Sequence, residues 1–190
     1  MPPKTRVTED VIINAAVEVA RRSGFESINA RTVSGQLHCS TQPVMYHFST
    51  IDSLKKAACG QVEQLYAQYM TITPPGQDPI PGIGMNHIRF AAEEPRLFRF
   101  LFQSGYAEGN SLLEMADSGR LDPVLAALRK KTGLSRQRAR NAFITVALFA
   151  CGYAGAIANN HLAFDEKLAA ERLGSVYKGA VLAAEQEERP

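Results

Sequence analysis

Apolar residues recur at helical spacing through most of the chain, and no stretch alternates apolar and polar residues as a strand does. The first pattern starts after Thr8, which can cap a helix, and stops at Gly24, which suits the turn that follows a helix. Glu9 and Asp10 stand in its first turn, where the helix dipole favours negative charge. The pattern therefore predicts a helix between Thr8 and Gly24.

Two short helices and a tight turn are predicted next. Asn29 can cap the first, which runs to about Leu37, and Ser40 can cap the second, which runs to His47. Helices this short are not stable alone in water, so other elements must pack against them. Polar side chains on the first turn of the second helix then face outward. This arrangement is typical of a helix-turn-helix, whose second helix enters the DNA major groove.

The rest of the chain is also predicted to be helical. A long helix opens at Asp52 or Ser53 and runs to about Thr71, and a loop rich in proline and glycine follows from Thr73 to Gly84. Further helices are predicted over 83–93, 95–103 and from Asn110 to about Lys131, and then from caps at Ser135 and Asp165. The sequence thus predicts an all-α fold of about nine helices.

Composition adds little that is specific. The chain has 190 residues, 45% of them hydrophobic, which is enough for a sizeable core. The net charge is +2, and residues 1–60 carry that whole surplus, with seven Lys and Arg against five Asp and Glu. Three scattered cysteines favour free thiols in a reducing cytoplasm. Neither a membrane span nor a signal peptide is expected from the apolar pattern.

Motifs for catalysis and for metal binding are missing from the sequence. It has no glycine-rich phosphate loop, no nucleophile elbow and no His-Glu zinc helix. The four histidines include no pair at a spacing of four residues. We therefore expect no enzyme activity, no metal and no cofactor.

The first third of the chain resembles the TetR family of bacterial transcriptional regulators over about residues 8–58. The residues that carry the resemblance, at the spacing of the family, are Ile12, Ile13, Ala15, Ala16, Gly24, Phe25, Val33, Leu37, Ser40, His47, Phe48 and Leu54. The resemblance implies a helix-turn-helix DNA-binding domain over 1–50 and a ligand-binding and dimerisation domain over 51–190, with 51–72 as the connecting helix. It also implies a homodimer, usually a repressor, that a small molecule releases from double-stranded operator DNA.

The resemblance places Thr41 and Gln42 where base edges are read, and Tyr46 and His47 where the family touches DNA. Glutamine can bond adenine with two hydrogen bonds, and the threonine methyl can contact thymine. His47 has an equal alternative as a helix-end residue that packs on Phe48. The candidate DNA-binding residues are Arg31, Ser40, Thr41, Gln42, Pro43, Tyr46 and His47.

The chain departs from the family pattern at three positions. His38 stands in place of the usual turn glycine, Met45 in place of a frequent tyrosine, and Ile51 in place of a common lysine. The last two replace residues that contact phosphate in the family. An alternative function is therefore a helical ligand-binding or protein-partner module with weakened DNA binding.

Apolar and aromatic residues beyond residue 60 give candidates for a pocket and for a dimer interface. An aromatic stripe can equally be plain core, so we expect a mixture of core and pocket around the helix at 95–103. The pocket candidates are Tyr66, Met85, Phe90, Phe98, Phe102, Gln103, Phe149 and Tyr153. His87, Tyr106 and Asn159, with Gln103, are candidates to orient a ligand. The predicted interface, on the last two helices, comprises Phe143, Val146, Ala150, Ala154, Ile157, Val176, Tyr177 and Ala180.

Overall fold

The computed structural model describes residues 7–70, 79–107, 121–160 and 162–186. Within these ranges it contains nine α-helices, one 3-10 turn at Phe25–Ser27 and no strand. The helices are α1 (Glu9–Ser23), α2 (Ala30–Gln36), α3 (Gln42–His47), α4 (Ile51–Met70), α5 (Pro79–Glu93), α6 (Pro95–Gln103), α7 (Asp122–Thr132), α8 (Arg136–Asn160) and α9 (Glu166–Gln186). The all-α prediction is confirmed, whereas the predicted helix start at Asn110 lies outside the described residues.

Four of the predicted helix caps form hydrogen bonds to the backbone, among them Ser135, which accepts from the N–H of Arg138 at 3.4 Å. Thr8 accepts from the backbone N–H of Val11 at 3.4 Å, and Asp165 accepts from that of Leu168 at 3.0 Å. Asn29 accepts from the N–H groups of Arg31 and Thr32, both at 3.0 Å, while the Thr32 hydroxyl accepts from the Asn29 N–H. The last pair is a reciprocal capping box, which satisfies N–H groups that would otherwise lack a partner.

Three predicted helix starts differ from the structure, since α4 begins at Ile51 rather than at Asp52 or Ser53, and the starts of α5 and α3 differ as well. α5 begins at Pro79, whereas the predicted loop extends to Gly84, because the first turn of a helix tolerates proline. The first N–H groups of a helix have no partner within the helix, so a proline there removes no hydrogen bond. α3 begins at Gln42, with Thr41 rather than Ser40 at the cap position and Pro43 in the first turn.

The chain divides into two compact units whose composition differs from the predicted domains. The described parts of residues 1–67 and 96–108 form the first unit, and those of 68–95 and 109–190 form the second. Most of α4 and α6 thus belong with the helix-turn-helix, not with the C-terminal unit. The Phe100 ring of α6 is fully buried and stacks on Phe25 at 5.3 Å between centroids.

The second unit is built on α5, α8 and α9. These three helices pack on one another, and α7 packs against α5 and α8. Gly84 of α5 permits a close approach, since a Cβ atom there would lie 2.9 Å from Cδ2 of Leu173. Tight packing of this kind gives the unit a well-defined interior.

α8 is long and apolar enough to cross a membrane by its length and composition. In the structure it packs against α5 and α9, and one stripe of its side chains is buried there. Length and composition alone do not distinguish a core helix from a membrane-spanning helix. The packing of the second unit therefore accounts for the buried stripe of α8.

Candidate nucleic-acid interface

The turn between α2 and α3 sets the position of α3. His38 lies in the left-handed region with φ of 52°. Its N–H donates to the carbonyl of Gly35 at 3.2 Å, and the N–H of Cys39 donates to that of Ser34 at 3.0 Å. These two bonds form a Schellman motif, in which glycine usually takes the left-handed position. The unusual histidine in the sequence thus occupies the one strained backbone position of this turn.

Replacing His38 with glycine is expected to stabilise the first unit by about 0.5–1 kcal/mol. Removing the Cβ relieves left-handed strain of about 1–2 kcal/mol, and the greater entropy of unfolded glycine offsets part of that gain. Urea unfolding of His38→Gly and the wild type measures the difference. His38→Ala is the matched control, because it keeps the Cβ and the strain. A glycine variant less stable than the wild type would contradict this interpretation.

One side of α3 anchors the helix and the opposite side faces solvent. Val44 is fully buried, and Phe48, directly after the helix, is buried too. Thr41 and Gln42 are exposed, as are Met45 at 44% and Tyr46 at 83%. Since residues four apart share a helix face, these four side chains form one continuous surface. We call Thr41, Gln42, Met45 and Tyr46 the outward face of α3.

His47 lies on the other side of α3 and is half-buried. Its Nε2 lies 3.2 Å from the carbonyl oxygen of Val7, just before α1. Because a carbonyl only accepts, Nε2 carries the proton and donates. The bond ties the end of α3 to the residues before α1, which supports the helix-end role of His47. Val7 and Thr8 line a shallow groove together with Gln42, Pro43, Tyr46 and His47.

Among the other candidate DNA-binding residues, Arg31 and Ser40 are exposed and Pro43 is half-buried. Arg31 belongs to the first turn of α2, and Ser40 precedes α3. The structure therefore groups the seven candidates on α2, on α3 and on the segment between them. Their contact with DNA stays a prediction.

The start of α4 contains a polar contact that the sequence did not predict. The Tyr106 hydroxyl donates to Oδ1 of Asp52 at 2.9 Å, and desolvation and this bond raise the pKa of Tyr106. The Lys55 ammonium lies 6.0 Å from the Phe25 ring centroid and 5.9 Å from that of Tyr106. Ile51 is half-buried. Tyr106, a candidate to orient a ligand, thus contacts the first turn of α4.

The predicted pocket residues divide between the two units. Tyr66, Phe98, Phe102 and Gln103 belong to the first, and Phe102 lies 5.2 Å from Tyr66 and 4.8 Å from Phe98 between ring centroids. The second unit holds Met85, Phe90, Phe149 and Tyr153. The rings of Phe149 and Tyr153 lie 6.0 Å apart between centroids, and Phe90 lies 5.1 Å from Tyr69. Phe98, Met85 and Phe90 are buried, so they serve the cores at least in part.

α5 contributes several polar groups, of which only His87 was predicted from the sequence, as a candidate to orient a ligand. Asn86 and His87 are buried, and burial lowers the pKa of His87 from 6.5 to about 4. Asn86 and Arg89 line a concave surface of the second unit with Gln68, Tyr69 and Glu93. The Tyr69 hydroxyl donates to Glu93 at 2.8 Å, and Arg89 pairs with Glu166. Asn159, another candidate to orient a ligand, is exposed near the end of α8.

The apolar stripe of α8 predicted for the dimer interface lies inside a single chain. Its five predicted residues are buried in the protomer: Phe143, Val146, Ala150, Ala154 and Ile157. That assignment is corrected, because α5 and α9 pack against α8 within the chain. The outward side of α8 carries Leu148, which is 59% exposed. On α9, the predicted residues Val176, Tyr177 and Ala180 remain partly exposed.

Among the residues that the structure describes, no three His, Cys, Asp or Glu side chains group closely enough to hold a metal ion. Cys59 is buried, while Cys39 and Cys151 are partly exposed, and all three are free thiols. Burial raises the pKa of Cys59 to about 11, and the charge of Glu63 adds to this effect. The neutral thiol form of Cys59 is therefore favoured, which suits a core residue.

Comparisons with known proteins give matches among solved structures only. No family model and no curated protein matches the chain. A TetR-like transcriptional regulator from Rhodococcus sp. RHA1 aligns with a TM-score of 0.65 and 14% identity, covering 92% of this chain and 96% of that one. TetR-Q116A from Acinetobacter baumannii AYE, in complex with minocycline, aligns with a TM-score of 0.61 and 12% identity, covering 97% and 100%.

The multidrug binding protein EbrR, complexed with ethidium, aligns with a TM-score of 0.58 and 20% identity, covering 88% of this chain and 97% of that one. The chain has the TetR fold. At these identities the likeness concerns the backbone and not individual side chains. The TetR fold confirms the resemblance drawn from residues 8–58 and extends it to the C-terminal helices, where no sequence motif carries it.

Proposed function

We propose that the protein is a cytoplasmic, homodimeric transcriptional regulator that binds double-stranded DNA and responds to a small molecule. The observation that carries the proposal is the outward face of α3. A buried Val44 and a closed turn hold this six-residue helix, and its exposed side chains can form hydrogen bonds and apolar contacts. Such a helix fits the major groove.

A cluster of aromatic side chains on α4 and α6 supports a response to a ligand. Two proteins with this fold are named with bound minocycline and ethidium, both polycyclic molecules. In this chain the aromatic rings of Tyr66, Phe98 and Phe102 form a cluster that offers flat apolar surfaces to a ligand of this kind. We therefore propose an apolar or amphipathic effector that releases DNA from a repressor. No catalytic role is proposed for any residue.

DNA binding is tested first by a mobility-shift assay on the DNA upstream of the protein's own gene. We expect one discrete complex that unlabelled random DNA does not displace at equal concentration. Loss of binding to every duplex would overturn the proposal. It would favour the alternative of a helical ligand-binding or protein-partner module, for which the half-buried Ile51 in place of a lysine is the supporting observation.

Replacing Gln42 with alanine is expected to weaken binding to the specific duplex by about 1–3 kcal/mol and to leave random-DNA binding unchanged. The amide is the one side chain of the outward face that can bond adenine at two positions. Titrations of both duplexes measure the two affinities. The control is Gln64→Ala, which makes the same change at an exposed position of α4. An equal loss on both duplexes would show that Gln42 reads no base.

Dimerisation through α8 and α9 is expected to use their outward sides. Leu148 and Leu182 are 59% and 57% exposed, so a second subunit that covered them would remove apolar surface from water. Ala180 and Ala183 line a groove between the two helices. Two such surfaces can meet across a twofold axis.

Replacing Leu148 with glutamate should convert the dimer to a monomer at micromolar concentration, because an interface must then bury an unpaired charge. Size-exclusion chromatography with light scattering measures the mass. The control is Ala126→Glu, which adds the same charge at an exposed position of α7. A wild-type monomer, or a Leu148→Glu dimer of unchanged affinity, would contradict the proposed interface.

A further inference from the structure

The outward face of α3 contains no formal charge. Six large apolar side chains of the described residues are exposed, and two of them, Met45 and Tyr46, belong to this helix of six residues. The sequence gives no Lys or Arg between Gln36 and Phe48. A recognition helix with this surface differs from one that reads DNA through charged side chains.

The chemistry of this face favours one kind of base pair. Arginine or lysine is the usual partner of guanine, and the outward face offers neither. Glutamine can bond N6 and N7 of adenine, and apolar groups contact the C5-methyl group of thymine. Gln42 supplies the amide, while the thioether of Met45 and the Thr41 methyl supply apolar groups.

The placement of these residues allows them to act together. Thr41 and Met45 are four residues apart and so form one row, and Gln42 and Tyr46 form the adjacent row. The Tyr46 ring lies edge-on to the His47 ring, with centroids 5.3 Å apart, and His47 is itself held by Val7. The apolar row thus lies beside the amide on the exposed side of α3.

We propose that α3 recognises A·T base pairs and that Met45 determines this specificity by contacting the C5-methyl group of thymine. The proposal rests on the proposed DNA-binding function. Met45 is 44% exposed, so its side chain is available to contact a base edge. Burial of its exposed side chain against a methyl group also removes apolar surface from water.

The experiment starts with selection of bound duplexes from a random DNA pool by the full-length wild-type protein. We expect A·T pairs at the centre of each half-site. The selected duplex is then synthesised with deoxyuridine in place of thymidine at those positions, which removes only the methyl groups. Wild-type affinity should fall about threefold per contacted methyl, or about tenfold for two half-sites.

Two variants separate Met45 from its neighbours. Met45→Ala should bind the thymine and uracil duplexes equally, because the apolar partner of the methyl group is gone. Met45→Leu should keep a clear preference for thymine, because leucine is apolar and of similar volume. Uracil placed only outside the half-sites is the DNA control and should leave the wild-type affinity unchanged.

The outcomes distinguish this inference from the proposed function. Selection that recovers no duplex overturns the proposed function itself. Tight binding with G·C pairs at the half-site centres, or equal wild-type affinity for thymine and uracil duplexes, overturns the reading of thymine by Met45 and leaves DNA binding intact. An equal thymine preference in Met45→Ala assigns the methyl contact to another residue and also overturns the proposal.

Discussion

Replacing Phe100 with alanine is expected to lower the free energy of unfolding of the first unit by about 3–5 kcal/mol. Phe100 is fully buried and contacts two aromatic rings, Phe25 by stacking and Tyr106 edge-on at 6.2 Å. Phe25 lies directly between α1 and α2. Removal of the Phe100 ring should therefore destabilise the helix-turn-helix, although Phe100 is 52 residues beyond Phe48 in the sequence.

Urea unfolding measures the change in stability, and amide hydrogen exchange locates it. We expect faster exchange in α1 and α2 of Phe100→Ala and little change in α8 and α9. The matched control is Phe102→Ala, since Phe102 is only partly buried and should cost less. The proposed role of Phe102 in ligand binding predicts an altered ligand response with retained folding for Phe102→Ala. Faster exchange confined to the second unit would contradict the assignment of α6 to the first.

Acidification is expected to destabilise the second unit through His87 by about 3 kcal/mol between pH 7 and pH 4. Burial lowers the pKa of His87 to about 4, so the folded protein keeps this imidazole neutral where the unfolded chain, with a pKa near 6.5, binds a proton. The neutral His87 imidazole therefore makes its full contribution to the free energy of unfolding above pH 6.5. This contribution falls as the pH drops from 6.5 towards 4.

The variant His87→Gln removes the titrating group and should flatten the stability profile over this range. Urea unfolding at several pH values, followed by signals of the second unit, gives the two profiles. NMR titration of the His87 ring provides a direct check, with no protonation expected at pH 6. Parallel profiles for the two proteins would show that His87 does not control acid stability.

Local features of the fold could be predicted from the sequence because short-range chemistry determines them. Thr8, Asn29 and Asp165 cap helices with side-chain oxygens, and an oxygen at such a position has few other roles. The strained position of His38 also follows from its place between two short helices. The exposure of Thr41 and Gln42 was predicted for the same reason, since they stand at the first turn of a short helix whose other side must be packed.

Long-range packing could not be predicted in the same way. An apolar stripe on a helix shows only that something covers it, and for Val146 the cover is part of the same chain, not a second subunit. The membership of Phe100 in the first unit depends on a contact with Phe25, 75 residues away. The Tyr106 contact with Asp52 is likewise invisible in the sequence, because neither residue is unusual in its local setting.

Photocrosslinking from α3 tests the central claim most directly. Tyr46 is 83% exposed, so a benzophenone amino acid can replace it without disturbing the core. With a bound duplex, we expect efficient crosslinks from position 46 to half-site bases, and none from the exposed control position 126 on α7. A protein that binds the duplex tightly but forms no DNA crosslink from position 46 would contradict the assignment of α3 as the recognition helix.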